Sequence, residues 1–175
     1  MDDDDFLFAF KNRFSNLPKV HSIAVSFSHI LFYTQEGTDP IFALNSNRYS
    51  QLGFDTTTLQ NVDDEPIPVD FFSGLMVQKE ASIACNSFHS AVTIDGELYT
   101  FGWKKSGRLG RPSSSFSLKE DEDDEDDIIG LAECRDNENH MVEDGHVIKV
   151  VCGINHTMAL DGKIVNLYIY TYSLL

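Results

Sequence analysis

Three histidines recur along the chain at a nearly constant interval, and histidine is the side chain best suited to metal binding and to proton transfer near neutral pH. His29 and His89 lie 60 residues apart, and His156 follows 67 residues later. None of them has a second ligand three or four residues further on, as a helical metal site would require. Equivalent positions of repeated units are also separated by the width of a unit. We therefore predict no metal site and expect each histidine to form hydrogen bonds within its own unit.

Two groups of residues offer a nucleophile together with a base, and neither is predicted to be catalytic. His89, Ser90 and Asp95 lie close in sequence, but neighbouring residues of a strand point to opposite faces, whereas a triad needs its base aimed at the nucleophile. Cys134 and His140 fall in a loop without a regular element to hold them. The chain also lacks the glycine-rich phosphate-binding loop of nucleotide hydrolases. We predict no catalytic residue and no cofactor.

The histidines belong to a longer pattern that repeats over most of the chain. Complete units cover residues 20–53 and 81–110, and an incomplete unit covers 147–165. Residues 6–18 match the second half of a unit, so the chain opens on a half repeat. A unit repeated at this spacing indicates an array or propeller, in which neighbours bury each other's apolar faces. We predict one all-β domain over residues 1–175, a partial β-propeller of about three four-stranded antiparallel blades.

Within a unit, β-type runs alternate with turn residues. Asp95-Gly96 is a hairpin turn signal that follows the predicted strand His89–Ile94. Cys85 and Cys152 both lie four residues before a histidine and are predicted to be small buried strand residues. The second and third units should therefore superpose, with Cys85 over Cys152 and His89 over His156. Further repeat positions are expected at turns and strand ends: Gly96, Gly102, Gly110, Gly153 and Gly162.

The net charge of −15 is concentrated in two acidic runs. Asp2–Asp5 and Glu120–Asp127 hold 4 + 8 = 12 of the 28 acids, so the rest of the chain is near neutral. An acidic chain repels nucleic-acid phosphates, and the sequence shows no basic patch with interleaved aromatic residues, so we expect no nucleic-acid partner. The absence of a long apolar run and of a basic leader predicts no membrane association. Three cysteines without paired spacing argue against a disulfide framework and favour the cytoplasm, the nucleus or both.

The segments between the units lack the pattern. Residues 54–79 and 111–146 are expected to be loops, and the second contains the acidic run as a disordered insertion. Ser117 precedes Glu120 by three residues, a context that acidophilic kinases favour, so it is a candidate phosphorylation site. The acidic loop either contacts a basic protein partner or remains solvated.

The second unit resembles the repeat of the regulator-of-chromosome-condensation family. Its matching residues are Ala84-Cys85, His89-Ser90, Asp95-Gly96, Tyr99, Phe101-Gly102, Gly107 and Leu109-Gly110. The third unit matches at Cys152-Gly153, His156-Thr157 and Asp161-Gly162. The first unit is degenerate and matches best at His29, Asn47 and Gln51-Leu52-Gly53.

This resemblance implies a seven-bladed β-propeller similar to short single-propeller members such as the alpha-tubulin-suppressor-like proteins. Because the pattern stops after Val165, we expect a truncated chain that leaves residues 164–165 and 167–170 as an open apolar edge. Guanine-nucleotide exchange, the best-known activity of the family, depends on face residues and an inserted wedge that no segment here matches. We therefore predict a non-enzymatic protein-interaction scaffold with its binding loops at the rim. The alternative is an exchange factor for a small GTPase.

Overall fold

Short strands joined by turns make up most of the regular structure in the computed structural model, which describes residues 14–78, 81–111, 127–133 and 146–162 and the backbone of 167–170. The first sheet contains β1 (Val20–Val25), β2 (His29–Thr34), β3 (Ile41–Ser46) and β4 (Asn61–Pro68). The second sheet contains β5 (Ala81–Asn86), β6 (His89–Ile94), β7 (Glu97–Gly102) and β8 (Ile129–Leu131). The third contains β9 (Val147–Cys152), β10 (Thr157–Asp161) and β11 (Leu167–Tyr170). Two short 3-10 turns, Asp70–Phe72 and Lys105–Gly107, follow β4 and β7.

Each sheet is an antiparallel meander in which every strand pairs with the next one along the chain. The prediction of an all-β partial propeller is confirmed. The first two sheets have four strands, and the third has three within the residues that the structure describes.

The three sheets share one strand register, so equivalent residues of the repeat occupy equivalent positions in the strands. In the second sheet Cys85 pairs with Ser90, and in the third Cys152 pairs with Thr157. The first sheet places Val25 opposite Ile30 at the same position. Cys85 and Cys152 are therefore equivalent in strand pairing, and each lies opposite the residue that follows a repeat histidine.

The first strands of the sheets lie together on one side, because β5 contacts both β1 and β9. The later strands extend away from this side, as expected for neighbouring blades of a propeller. Consequently the turns β1–β2, β5–β6 and β9–β10 all lie at one end of the blades. The turn β6–β7 lies at the opposite end.

Large side chains fill the space between the first and second sheets. Phe72, from the 3-10 turn after β4, is fully buried and contacts Tyr99 and Phe101 of β7 with ring centroids 5.5 and 6.3 Å apart. Strands β5 to β7 contribute alternate residues to this core, as the two-residue period of a strand requires. These residues are Ile83, Cys85, Val92, Ile94, Tyr99 and Phe101.

Smaller side chains separate the second sheet from the third. Ala84 and Ala91 face this space, together with Ala159 and Val150 of the third sheet. Because β5, β6 and β10 each present alanine here, the sheets can approach closely. This close packing brings polar groups of neighbouring sheets within hydrogen-bonding distance.

The segments predicted to be loops supply the outer strands, which the sequence analysis did not anticipate. β4 lies within 54–79, and β8 lies within 111–146. β4 contains two prolines and three consecutive acids, which suit only an exposed edge strand. In the third sheet β11 pairs with β10, so the expectation that residues 167–170 lack a partner strand is wrong.

No helix of the described residues is long and apolar enough to cross a membrane.

Candidate functional site

A hydrogen-bonded seam joins the first sheet to the second through His29. The imidazole Nε2 of His29 lies 2.7 Å from the hydroxyl oxygen of Ser90 at the start of β6. The same hydroxyl donates to the carbonyl of Gln51 at 2.7 Å. All three residues are at most 1% exposed. The histidine of one sheet therefore binds the hydroxyl that follows the histidine of the next.

The second seam repeats this arrangement between the second and third sheets. His89 Nε2 lies 2.9 Å from Thr157 Oγ1, and the threonine hydroxyl donates to the carbonyl of Arg108 at 2.7 Å. Arg108 and Gln51 each precede a Leu-Gly pair, so the two acceptors are equivalent repeat positions. We use the term inter-sheet seam for this unit of histidine, hydroxyl and carbonyl.

The hydrogen bonds of the seam determine which imidazole nitrogen carries the proton, and burial determines that both rings are neutral. A serine or threonine hydroxyl has one proton, and in each seam the backbone carbonyl accepts it. The hydroxyl oxygen must then accept a hydrogen bond from Nε2–H of the histidine. Burial lowers the pKa of His29 to about 4. Burial, with a smaller effect of the Arg108 charge, lowers the pKa of His89 to about 3. Both rings are therefore neutral at pH 7 and unsuited to exchange protons there.

The expectation that each histidine forms hydrogen bonds within its own unit is wrong for Nε2 of His29 and His89, because that partner lies in the next sheet. For Nδ1 the two seams differ. The hydroxyls of Ser26 and Ser28 lie 3.1 and 3.0 Å from His29 Nδ1. Asn86 and Phe88 occupy the matching positions of the second unit, and His89 Nδ1 has no hydrogen-bond partner among the described residues.

The remaining repeat histidine and the two cysteines are less enclosed. His156, Cys85 and Cys152 are all half-buried. The sulfur of Cys85 lies 3.9 Å from the carbonyl oxygen of His29. Burial raises the pKa of the Cys85 thiol to about 11 and also raises the pKa of Cys152. Both thiols are thus protonated near neutral pH and are poor nucleophiles.

Gly102 is the glycine most tightly constrained by the seam. Its φ of +116° is unfavourable for other residues, and a Cβ there would lie 2.6 Å from the His89 Cα and the Phe88 carbonyl oxygen. Asn45, at the same position of the first unit, also has positive φ. The other predicted repeat glycines lie in the β6–β7 turn, after the Lys105–Gly107 turn, beside the His156 ring and at the end of β10; they are Gly96, Gly110, Gly153 and Gly162.

A cluster of aromatic and basic residues lies at the end of the blades that carries the turns β1–β2, β5–β6 and β9–β10, which we call the seam end. This cluster was not predicted from the sequence. The rings of Tyr49 and Trp103 stack at 5.1 Å with a 24° interplanar angle. Phe88 contacts both rings, with centroids 5.7 Å from Tyr49 and 5.2 Å from Trp103. The Arg108 guanidinium lies 4.7 Å from the Trp103 ring centroid, and the Lys105 ammonium lies 5.7 Å from it. We call this surface the basic–aromatic end and define it by Arg48, Tyr49, Phe88, Trp103, Lys104, Lys105 and Arg108.

Arg108 connects this end to the third sheet. Its guanidinium donates to the carbonyls of Lys105 and Ile154 at 2.6 and 3.0 Å and to the Asn155 side chain at 3.0 Å. Arg108 is only 1% exposed. Its guanidinium remains charged in spite of this burial. Arg108 thus fixes the Trp103 ring and the β9–β10 turn relative to each other.

The sequence contains one signal that would have revealed this surface. Arg48 and Lys105 both lie four residues before the Leu-Gly pair of their units, so a repeat alignment places basic residues at equivalent positions. Tyr49 and Trp103 lie 54 residues apart, and only folding brings them together.

No group of three or more histidine, cysteine or acidic side chains suited to a metal ion occurs in the described ranges. The candidate phosphorylation site Ser117 and the pair Cys134 and His140 lie outside those ranges, as does most of the half repeat 6–18. Their predicted roles remain predictions.

No family model matches the chain. It is 29% identical over 152 residues to Protein RCC2 of Homo sapiens, covering 81% of this chain and 27% of that protein. Among solved structures, human WBSCR16 matches with a TM-score of 0.58 at 25% identity, covering 83% of this chain and 33% of that one. Prp20p of Saccharomyces cerevisiae shares the fold with a TM-score of 0.56 at 16% identity, covering 90% and 34%.

The repeated seam, the blade topology and these similarities define one class of protein. The chain is similar to RCC1-like β-propeller proteins and shares their fold. It spans about a quarter of the length of the curated relatives it matches, 27% for the human and Xenopus laevis proteins and 26% for the Mus musculus protein.

Proposed function

We propose that the chain is a non-enzymatic protein-interaction scaffold whose binding surface is the seam end of the blades. The observation that carries this proposal is the coexistence of a rigid base with exposed apolar side chains. Phe27, in the β1–β2 turn, is 99% exposed, and Ile154, in the β9–β10 turn, is 64% exposed. Both lie two residues before a repeat histidine.

Hydrogen bonds make the three turns one continuous surface. The Ser28 hydroxyl donates to the Ser87 carbonyl at 2.8 Å, which joins the first turn to the second. The Trp103 backbone N–H donates to the Phe88 carbonyl at 2.8 Å, and Arg108 reaches the Ile154 carbonyl. A preorganised surface binds with a smaller loss of conformational entropy than a flexible one.

The chemistry of the described side chains supports a binding role over a catalytic one. His29 and His89 are held neutral by burial and are both engaged in seams. The thiol of Cys85 is protonated because burial raises its pKa. These three side chains thus contact a neighbouring sheet and serve to hold the sheets together.

A photo-crosslinking experiment tests the proposal directly. A photoreactive phenylalanine analogue at position 27 should crosslink defined cellular proteins. The same analogue at Met76, which is 82% exposed at the opposite end, should not capture them. Identical products from both positions, or none from position 27, would refute a binding role for this end.

The second candidate is guanine-nucleotide exchange on a small GTPase, and the similarity to Prp20p favours it. Prp20p binds Gsp1p and histones. A nucleotide-release assay with a panel of small GTPases separates the two functions. Accelerated release by the wild-type chain would establish exchange, whereas unchanged release together with crosslinking at position 27 supports the scaffold.

The intracellular location in cytoplasm or nucleus and a basic partner for the acidic run are further parts of this proposal. The acidic run lies almost entirely outside the described residues. Its role is tested separately by deleting it and measuring the salt dependence of partner binding.

A further inference from the structure

We infer that two copies of this chain pair through the outer face of the first sheet, which is the face directed away from the second sheet. This inference goes beyond the proposed scaffold function and concerns a different surface, so either can fail without the other. It follows from exposed apolar side chains, from the equivalence of the three sheets and from the positions of the seam groups.

The outer face of the first sheet carries apolar side chains that remain exposed along β1. Ile23 pairs with Phe32 and Val25 pairs with Ile30, so strand alternation places these four residues on one face. The opposite face carries His29 and packs against the second sheet. Ile23 is 56% exposed and Val25 is 68% exposed. Adjacent exposed apolar side chains of this kind mark an interaction surface on a folded protein.

The polar groups near this face are directed elsewhere or already paired. A register shift in β1 lies at His21, and its ring meets the edge of Tyr33, which alternation places on the opposite face, at 5.4 Å. Thr34 is 1% exposed, and its hydroxyl donates to a backbone carbonyl before β3 at 2.9 Å. Phe14 extends the apolar surface, since its ring centroid lies 5.8 Å from that of Phe32.

The equivalent faces of the other two sheets are covered by a neighbouring sheet of the same repeat. Cys85 and Cys152 occupy the position of Val25 in the strand register, and both are half-buried. Val150 occupies the position of Ile23 and is only 3% exposed. The surface that fits this face is therefore a β-sheet of this repeat, and a second copy of the chain supplies one.

The seam position decides which sheet of the second copy fits. Ile30 stands where the second and third sheets have Ser90 and Thr157, so it cannot accept a hydrogen bond from an imidazole. By equivalence with the other units, the outer face of the third sheet carries His156, together with the exposed Lys149. Packing that face on Ile30 would bury an N–H and an ammonium group without an acceptor, which is costly.

Pairing of the outer face of the first sheet with its own copy leaves no polar group without a partner. Each copy contributes the same apolar residues, so the interface is two-fold symmetric. An interface of this type closes with two copies, whereas a contact between unlike faces continues into rings or filaments. The number of copies in the assembly therefore distinguishes the two arrangements.

Sedimentation velocity of the full chain measures this association. At micromolar concentrations the wild-type chain should sediment as a dimer. Val25→Glu places two carboxylates in the two-fold interface and should weaken dimerisation by about a hundredfold or more. Ile23→Ser removes apolar surface without adding charge and should weaken it by about tenfold. Because both positions are exposed, far-UV circular dichroism should show that both variants remain folded.

The matched control is Val151→Glu, at an exposed position on the outer face of the third sheet, and this variant should dimerise like the wild-type chain. Loss of its dimer, with recovery on mixing with Val25→Glu, would show that unlike faces pair and would overturn the inference. A wild-type monomer, assemblies larger than a dimer, or a Val25→Glu dimer of undiminished affinity would overturn it too. Photo-crosslinking of other cellular proteins at position 27 tests the scaffold function whichever result is obtained.

Discussion

His29 Nε2 and Ser90 Oγ lie 2.7 Å apart across two sheets, although 61 positions separate them in the sequence. This contact joins the two sheets through a single buried hydroxyl. Replacing Ser90 by alanine leaves the His29 N–H and the Gln51 carbonyl without their partner. We expect Ser90→Ala to lower the free energy of unfolding by about 1–3 kcal/mol in a urea melt. Ser73→Ala, at an exposed position, should have little effect, and equal melts for the two variants would contradict the seam.

The second seam predicts a difference between two substitutions of Thr157. Valine keeps the shape of threonine but removes the hydroxyl that joins His89 to the Arg108 carbonyl. Thr157→Val should therefore destabilise by about 1–3 kcal/mol. Thr157→Ser keeps the hydroxyl and should lower the free energy of unfolding by less than Thr157→Val. A thermal melt of both variants measures the difference. A larger loss for serine than for valine would mean that packing, and not the hydrogen bonds, determines stability here.

Acid should destabilise the fold before most carboxylates titrate. An unfolded histidine has a pKa of about 6.5, whereas His29 and His89 have folded values of about 4 and about 3. Since the unfolded chain takes up protons first, the stability from the neutral rings is fully present above the unfolded pKa. It is lost as pH falls towards the folded values. Each histidine should contribute a slope of up to about 1.4 kcal/mol per pH unit.

Urea melts at about pH 7.5 and pH 5 measure this slope in a range where few carboxylates contribute. Equal stability of the wild-type chain at both pH values would show that the seam histidines are not held neutral.

Gly102→Ala should separate steric overlap from backbone strain. A methyl group there would meet the backbone of Phe88 and His89 at 2.6 Å, and the backbone has positive φ. We expect a loss of about 1–3 kcal/mol or more. Gly74→Ala is the matched control, because Gly74 also has positive φ but no atom within 4 Å of the added carbon. If both variants lose the same stability in a thermal melt, the close approach to the seam is unimportant.

The thiols of Cys85 and Cys152 should resist alkylation in the native state, since burial raises the pKa of both. Maleimide labelling of a Cys134→Ser chain at neutral pH, followed by mass spectrometry, should show slow native modification and rapid modification in denaturant. Rapid labelling of the native chain would show that the blades open readily or that the thiols are accessible.

Periodicity predicted the features that depend on a single repeat unit. The spacing of His29, His89 and His156 gave the blade register, because equivalent residues occupy equivalent strand positions. Strand β4 was missed because Asp63, Asp64, Glu65 and its prolines are unlike a buried strand, and an outer strand needs only one paired edge.

The features that depend on neighbouring units were harder to predict. In β11, Leu167 lies opposite Leu160 as Leu98 lies opposite Thr93, but its position in the sequence is two residues later than in the second unit. The partner of each seam histidine was missed for a related reason. A hydroxyl after a histidine points towards the preceding sheet, and only the stacking of sheets brings it to the next imidazole.

The connection before β8 has a consequence for engineering. Residues 47–60 join β3 to β4, whereas the equivalent connection in the second sheet, residues 103–128, is 12 residues longer. The longer connection leaves both seams formed, since the closure entropy of a loop rises only slowly with its length. Chain length is therefore constrained near the histidines and permissive between Arg111 and Asp127. That permissive segment is the natural place to graft a fluorescent reporter or an epitope without altering how the sheets lock together.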